Sequence, residues 1–414
     1  MKTLLPVIAI CPRGLEQVVA NELVSLLHHI KPQLKKGGVF FIASATDVCM
    51  LNLWARTPTR FLIQLIRTQV KSARELFNCS KKINWKEWFL PKRTIKVDVN
   101  GRGFPKDVSL RYASLVVKDA ICDSFRDDCG TRPSIDTNSP DIRVWVNFDN
   151  NLVTISIDST GQPLYKRGWR ADDFIAPLKE NLAASLIKLT GWDKKAPIID
   201  PMCGSGTFII EAAGIAANLP ANFILSKKRA FAYQLFANSS PFSDVDIGEI
   251  LMDAEKAWKT PTDNSSTFPT FLGFDVLKDN VVTAKKNAAI ALPSYVADKI
   301  FWDVKPLYSL TRPNFDSGLI LTNPPYGKRM GSLTLTKELM VNLSSILKTK
   351  FTGWTVWLLT PEKNIVSKIK LRASEKIIVK NGDIDCCWVR FNIFEGSKFR
   401  KGKKDANIGQ SKSS

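Results

Sequence analysis

Ala196-Pro197-Ile198-Ile199-Asp200-Pro201-Met202-Cys203-Gly204-Ser205-Gly206-Thr207-Phe208-Ile209-Ile210-Glu211-Ala212-Ala213 decides the fold. A short apolar run ends in an aspartate, a Gly-Ser-Gly turn follows, and a helix opens near Thr207. Glycine lets a backbone approach a ligand closely, and the first turn of a helix offers free N–H groups. The stretch lacks the lysine of a Walker loop and the third glycine of the dinucleotide fingerprint. Phosphate is therefore not the favoured ligand. Asp200 at the strand end suits a cationic or amine-bearing one.

The next strand reads Phe271-Leu272-Gly273-Phe274-Asp275, and its terminal carboxylate suits ribose hydroxyls. The usual gap to that acid is about 20 residues. Here it is much longer, and residues 218–268 read as an insertion. A third candidate strand ends at Trp302-Asp303, a carboxylate able to meet an adenine amine. A fourth, Gly318-Leu319-Ile320-Leu321-Thr322, runs into Asn323-Pro324-Pro325-Tyr326-Gly327. The prolines stop the strand and stiffen the loop, at the sheet end where open α/β folds bind ligands. Asn323 accepts hydrogen bonds through its amide oxygen, and Pro324 brings no N–H to compete for nearby carbonyls. Tyr326 offers a ring for stacking. This set suits a planar base carrying an exocyclic NH₂. Singly, each aspartate also serves as a cap or turn residue, and Asn-Pro-Pro as punctuation. Their joint order points to one site.

That order resembles the S-adenosylmethionine-dependent amino methyltransferases. Ala176-Pro177-Leu178-Lys179-Glu180-Asn181-Leu182-Ala183-Ala184 resembles their leading motif, and Leu164-Tyr165-Lys166-Arg167-Gly168-Trp169-Arg170 the segment joining a THUMP domain to such a catalytic domain. With Cys11-Pro12-Arg13-Gly14-Leu15-Glu16, Asn84-Trp85 and Ser139-Pro140-Asp141-Ile142-Arg143-Val144, the chain resembles bacterial large-subunit (23S) rRNA guanine-N2 methyltransferases with an N-terminal THUMP domain, the first half of the RlmL type. The resemblance implies an α/β fold: a Rossmann-like methyltransferase domain preceded by an α+β ferredoxin-like/THUMP region. It implies S-adenosylmethionine as cofactor, lined by Asp200, Pro201, Cys203, Gly204 and Gly206, with Asp275 on the ribose, Asp303 on the adenine amine and Lys179 near the carboxylate. Asn323, Pro324 and Tyr326 would hold the target base. A tRNA guanine-N2 enzyme, a DNA adenine-N6 enzyme and a non-catalytic RNA-binding assembly factor are the rival readings. Some relatives continue into a second methyltransferase domain, and that second activity is expected to be absent.

Composition bounds the partners. Lys+Arg 59 against Asp+Glu 39 gives a net charge of +20, which favours a polyanion, here RNA. No apolar run approaches a spanning helix. The apolar start, Met1 to Cys11, superficially resembles a signal peptide. No small-residue cleavage site follows and an amphipathic helix begins at once, so a strand is expected there. The eight cysteines show no CxxC pair, and the histidines are only His28 and His29. Neither a metal, a disulfide framework nor histidine catalysis is expected. The expected protein is a cytoplasmic monomer without a membrane partner.

The domain reading is 1–45 ferredoxin-like unit, 46–158 THUMP, 159–396 methyltransferase and 397–414 a disordered basic tail. Residues 14–27 put Leu15, Val18, Val19, Leu23, Leu26 and Leu27 on one helical face. Residues 142–148 and 152–157 read as a hairpin around Asp149-Asn150-Asn151. Trp354–Leu359 and Cys386–Ile393 are expected to form the antiparallel edge of the catalytic sheet. Removing residues 1–158 is expected to spare cofactor binding and to cost RNA methylation.

Overall fold

Alternating apolar residues bury Leu5, Val7 and Ala9 on one side of the first strand, and a seven-stranded sheet grows around it. The computed structural model describes residues 3–105, 108–170, 178–261, 268–325, 333–361, 369, 371–382 and 384–394, with side chains of 333–337 set aside. The first sheet holds β1 (Leu4–Ile10), β2 (Gln33–Lys35), β3 (Gly38–Ser44), β4 (Arg60–Gln69), β5 (Ile95–Arg102), β6 (Ile142–Asp149) and β7 (Leu152–Asp158) in the order β2-β3-β1-β4-β7-β6-β5. β4 pairs with both β1 and β7, so one continuous sheet spans the whole N-terminal half. The β6–β7 hairpin turns on Asn150 (φ 52) and Asn151 (φ 61), the paired left-handed residues a tight two-residue turn requires. Helices α1 (Glu16–Leu26), α2 (Ala45–Trp54), α3 (Ala73–Lys81), α4 (Trp85–Trp88) and α5 (Leu110–Cys129) flank this sheet. Ser44 and Asp47 close a capping box at the start of α2.

The second sheet holds β8 (Ile198–Asp200), β9 (Phe271–Asp275), β10 (Ile300–Val304), β11 (Leu319–Thr322), β12 (Thr355–Thr360), β13 (Glu375–Asn381) and β14 (Ile384–Asn392), ordered β10-β9-β8-β11-β12-β14-β13. The first five in that order run parallel, and β14 is antiparallel to both neighbours. Strand order reverses between β8 and β11, so the ligand crevice opens there. Helices α6 (Glu180–Leu189), α7 (Thr207–Ala216), α8 (Phe223–Lys228), α9 (Ile247–Lys259), α10 (Lys278–Ala291), α11 (Ser294–Ala297) and α12 (Leu333–Lys350) complete the half. Residues 355–360 belong to the parallel run, which corrects their expected place at the edge. The edge is β13, a half-exposed strand with charges at Glu375, Lys376 and Lys380, too weakly patterned to read in advance.

The two halves are not separable modules. The chain from 219 to 259 forms an arm on the N-terminal half: Phe223, Leu225, Phe231, Tyr233, Phe242 and Ala254 join its core, and Ala237 N–H donates to the Trp88 carbonyl at 2.8 Å. In return, Leu15 is fully buried in the catalytic core with Val379 and Trp388. Gly14 (φ +88) sits where an added Cβ would lie 2.6 Å from the Ile378 carbonyl oxygen, which explains a glycine there. Between the halves, the buried Glu211 of α7 accepts from Arg167 at 2.6 Å and Arg56 at 3.1 Å. Losing one partner of a buried ion pair costs about 3–5 kcal/mol. Deletion of residues 1–158 would strip Leu15 and Arg56 from the catalytic half, so a loss of stability in that half is expected to accompany it.

Candidate active site

β8 delivers Asp200 to the crevice with 2% of its surface exposed. Its Oδ1 accepts from the Met202 N–H at 3.2 Å as the chain enters the Pro201–Gly206 turn. Cys203 N–H donates to the Phe274 carbonyl at 2.8 Å, pinning the turn to β9. Gly204 (φ 52) and Gly206 (φ 83) take left-handed conformations, and Gly206 is the N-cap of α7. These two glycines do different work. Gly204 is partly exposed at the crevice. A Cβ on Gly206 would lie 2.7 Å from Trp302 Cη2 and 3.0 Å from Ala284 Cβ. Gly206 therefore leaves room for the indole of β10, which explains a glycine at this position.

Asp275 is 7% exposed and already engaged. Its Oδ2 accepts from the Gly204 N–H at 2.9 Å, and its Oδ1 accepts from Leu277 N–H and Asn280 Nδ2, both at 3.0 Å. It clamps the glycine turn, leaving a lone pair on Oδ2 for a further donor. Burial, then the charge of neighbouring Asp275, pushes the Asp200 carboxyl well above its ordinary range. Burial and both aspartates likewise raise the Cys203 thiol. Among the described residues, no lysine or arginine ion-pairs with Asp200 or Asp275. Two buried carboxyls with no cation beside them make a site short of positive charge.

Asp303 is half-buried on β10, opposite Phe274 in register. Cross-strand partners share a face, so Asp303 leaves the sheet on the Phe274 side, away from Trp302. Across the switch point, Asn323 follows β11. Its Oδ1 is buried and accepts no hydrogen bond among the described residues. Such orphaned acceptors are rare in folded proteins and call for a reason. Pro324 beside it is buried. Tyr326 lies outside the described residues.

The Lys179 ammonium sits 4.7 Å over the Tyr165 ring. The cation at the turn is Arg170. It donates to Ser205 Oγ at 2.9 Å, Thr207 Oγ1 at 3.1 Å, Glu180 Oε1 at 2.9 Å and the Leu178 carbonyl at 2.9 Å. Asn287 adds a bond from Nδ2 to the Ser205 carbonyl at 3.1 Å. Neither residue was anticipated. Arg170 lies within a segment singled out by resemblance, whereas Asn287 carries no local signal.

Family models match three consecutive stretches: residues 6–62 the RlmL ferredoxin-like domain, 70–158 the THUMP domain and 167–390 the RMKL-like methyltransferase domain. The chain belongs to the RMKL-like methyltransferase family. A Synechocystis sp. protein with a provisional RNA-methyltransferase name is 32% identical over 391 residues, covering 94% of this chain and 97% of its own. The ribosomal RNA large subunit methyltransferase K/L of Shewanella amazonensis is 32% identical over 388 residues, 93% of this chain but 52% of that protein. The chain thus spans about half the length of that relative. The crystal structure of SMU.472, complexed with SAH, superposes with a TM-score of 0.80 at 25% identity, covering 96% of this chain and 100% of the other.

The cofactor of this RMKL-like methyltransferase is S-adenosylmethionine, and the residues fit it. The cofactor carries positive charge on sulfur and on its amino group. Asp200 is a buried carboxyl with no lysine or arginine paired to it among the described residues, and Asp275 keeps a lone pair for a hydroxyl donor. No helix among the described residues is long and apolar enough to cross a membrane.

Proposed function

We propose that this protein methylates the exocyclic N2 amine of a guanine in large-subunit (23S) ribosomal RNA, in the cytoplasm and as a monomer. The single observation that carries the reading is the orphaned Asn323 Oδ1, buried at the switch point across from Asp200. The THUMP match and the names of the relatives support RNA as the substrate.

S-adenosylmethionine supplies an electrophilic sulfonium methyl. The guanine amine is a weak nucleophile because its lone pair is delocalised into the ring. Asn323 Oδ1 and the Pro324 carbonyl accept the two amine hydrogens, turning the nitrogen lone pair outward and stabilising the positive charge that develops on it. The surplus proton leaves to water, so no strong base is needed. Asp275 holds Gly204 and offers its remaining lone pair to a ribose hydroxyl. Arg170 and Asn287 hold Ser205, and so fix the turn. Asp303 is assigned to the adenine amine, and Lys179, whose ammonium lies over Tyr165, to the neighbourhood of the cofactor carboxylate.

A paired base cannot reach this crevice. Flipping costs a few kcal/mol. Stacking on Tyr326 returns about 1–3 kcal/mol per base. Contacts to flanking RNA must supply the rest.

The test is to methylate deproteinised rRNA and tRNA in parallel with labelled cofactor and digest both to nucleosides. N2-methylguanosine in large-subunit rRNA is expected. Label on adenine, or only in tRNA, would reject the assignment.

A further inference from the structure

Between β7 and the cofactor turn the chain runs as a strap, residues 159–170, containing no Asp or Glu. The stretch 212–243, which carries the first part of the arm, contains none either. The arm lays Lys227-Lys228-Arg229 along the strap. Lys228 Nζ donates to the Gly168 carbonyl, and Arg229 Nη2 donates to the Gln162 carbonyl at 2.9 Å. Lys179 adds its ammonium at Tyr165, and Lys166 stands exposed on the strap itself. The other cations here have carboxylate partners: Arg167 shares Glu211 with Arg56, Arg170 pairs with Glu180, and Lys227 shares Glu255 with Lys259. Lys166, Lys179, Lys228 and Arg229 form no ion pair among the described residues. Asp158 partly offsets Arg229, and the strap is left with an excess of positive charge that an anion would stabilise.

The ends of the seam give it direction. One end abuts the buried Arg60–Asp158 pair at the close of β7, where the THUMP match stops. The other ends at Arg170, bonded to Ser205 and Thr207 of the cofactor turn. We propose that this seam is a track for the RNA backbone, its four cations neutralising phosphates between the THUMP region and the catalytic crevice. The inference rests on the RNA reading above. It places phosphate contacts on the strap and the arm, outside the 70–158 THUMP match. Such contacts position the nucleic acid without reading its bases, and the base would be selected at Asn323.

The experiment measures binding of a fluorescein-labelled single-stranded oligoribonucleotide to the full chain across a KCl series. The double variant Lys166→Gln/Lys228→Gln should lower the slope of log affinity against log salt by about 1.4, at about 0.7 per phosphate contact, and weaken binding about tenfold near 0.15 M salt. Its S-adenosylmethionine affinity by calorimetry should stay at wild type, and Lys166→Arg/Lys228→Arg should restore the slope. Lys35→Gln/Lys36→Gln removes the same charge at the far edge of the first sheet and should leave the slope in place. An unchanged slope in the seam variant, or equal loss in both glutamine variants, overturns the track. A wild-type protein that binds the oligoribonucleotide yet methylates no RNA rejects the proposed reaction alone. One that binds no RNA rejects both.

Discussion

Replacing Gly206 with alanine tests the packing account of the cofactor turn. Two costs can be worked out. At φ 83 a residue with a Cβ pays about 1–2 kcal/mol for the left-handed conformation. The new methyl would also lie 2.7 Å from Trp302 Cη2. The indole cannot retreat toward β9, because even a Cβ on Gly273 would come within 2.3 Å of its Cε3. Overpacking of this kind costs about 1–3 kcal/mol. Together, Gly206→Ala should destabilise the protein by about 2–5 kcal/mol, a large share of the 5–15 typical of folded proteins. Urea unfolding, with the midpoint shifted at constant slope, reads this directly. A second variant separates the terms. In a Trp302→Leu background the indole clash is gone, and the backbone cost of about 1–2 kcal/mol should remain together with the 3.0 Å approach to Ala284 Cβ, a coupling of up to about 1–3 kcal/mol. Equal penalties in both backgrounds would refute the Trp302 contact. Unchanged stability with lost cofactor binding would make Gly206 a ligand-facing residue rather than a packing one.

Asp200→Asn should stabilise the empty protein at neutral pH and weaken S-adenosylmethionine binding. The folded carboxyl has a raised pKa, so its contribution is fully present below the unfolded value near pH 4 and is lost as pH rises through the folded one. Melting temperature against pH should therefore diverge between the two proteins as pH rises above about 4, and parallel profiles would contradict the buried-carboxyl argument. Asn323→Ala should cut methyl transfer about a hundredfold or more while calorimetry shows unaltered cofactor affinity; full activity in the variant removes Asn323 from the chemistry. Leu15→Ala should cost about 2–5 kcal/mol and weaken cofactor binding although the residue lies in the N-terminal domain match, and a loss below about 0.5 kcal/mol would mean the halves are not joined there.

Local chemistry made much of this protein legible from its residues alone. A strand, a glycine turn and a helix follow one another at 198–216 because apolar periodicity and glycine act within a few residues. Asn150-Asn151 makes a hairpin for the same short-range reason. The carboxylates at strand ends, and Asn323 after β11, were visible because a sheet of this class gathers its strand termini in one crevice. Tertiary structure decided which partner each residue meets. Gly206 faces Trp302, Arg170 reaches the turn, Leu15 fills the other half's core, and the presumed insertion is an arm on the N-terminal core. Burial sets these pairings: each apolar face or buried charge is matched by whatever surface the completed sheets bring opposite it, and that surface comes from distant segments whose local patterns do not name one another.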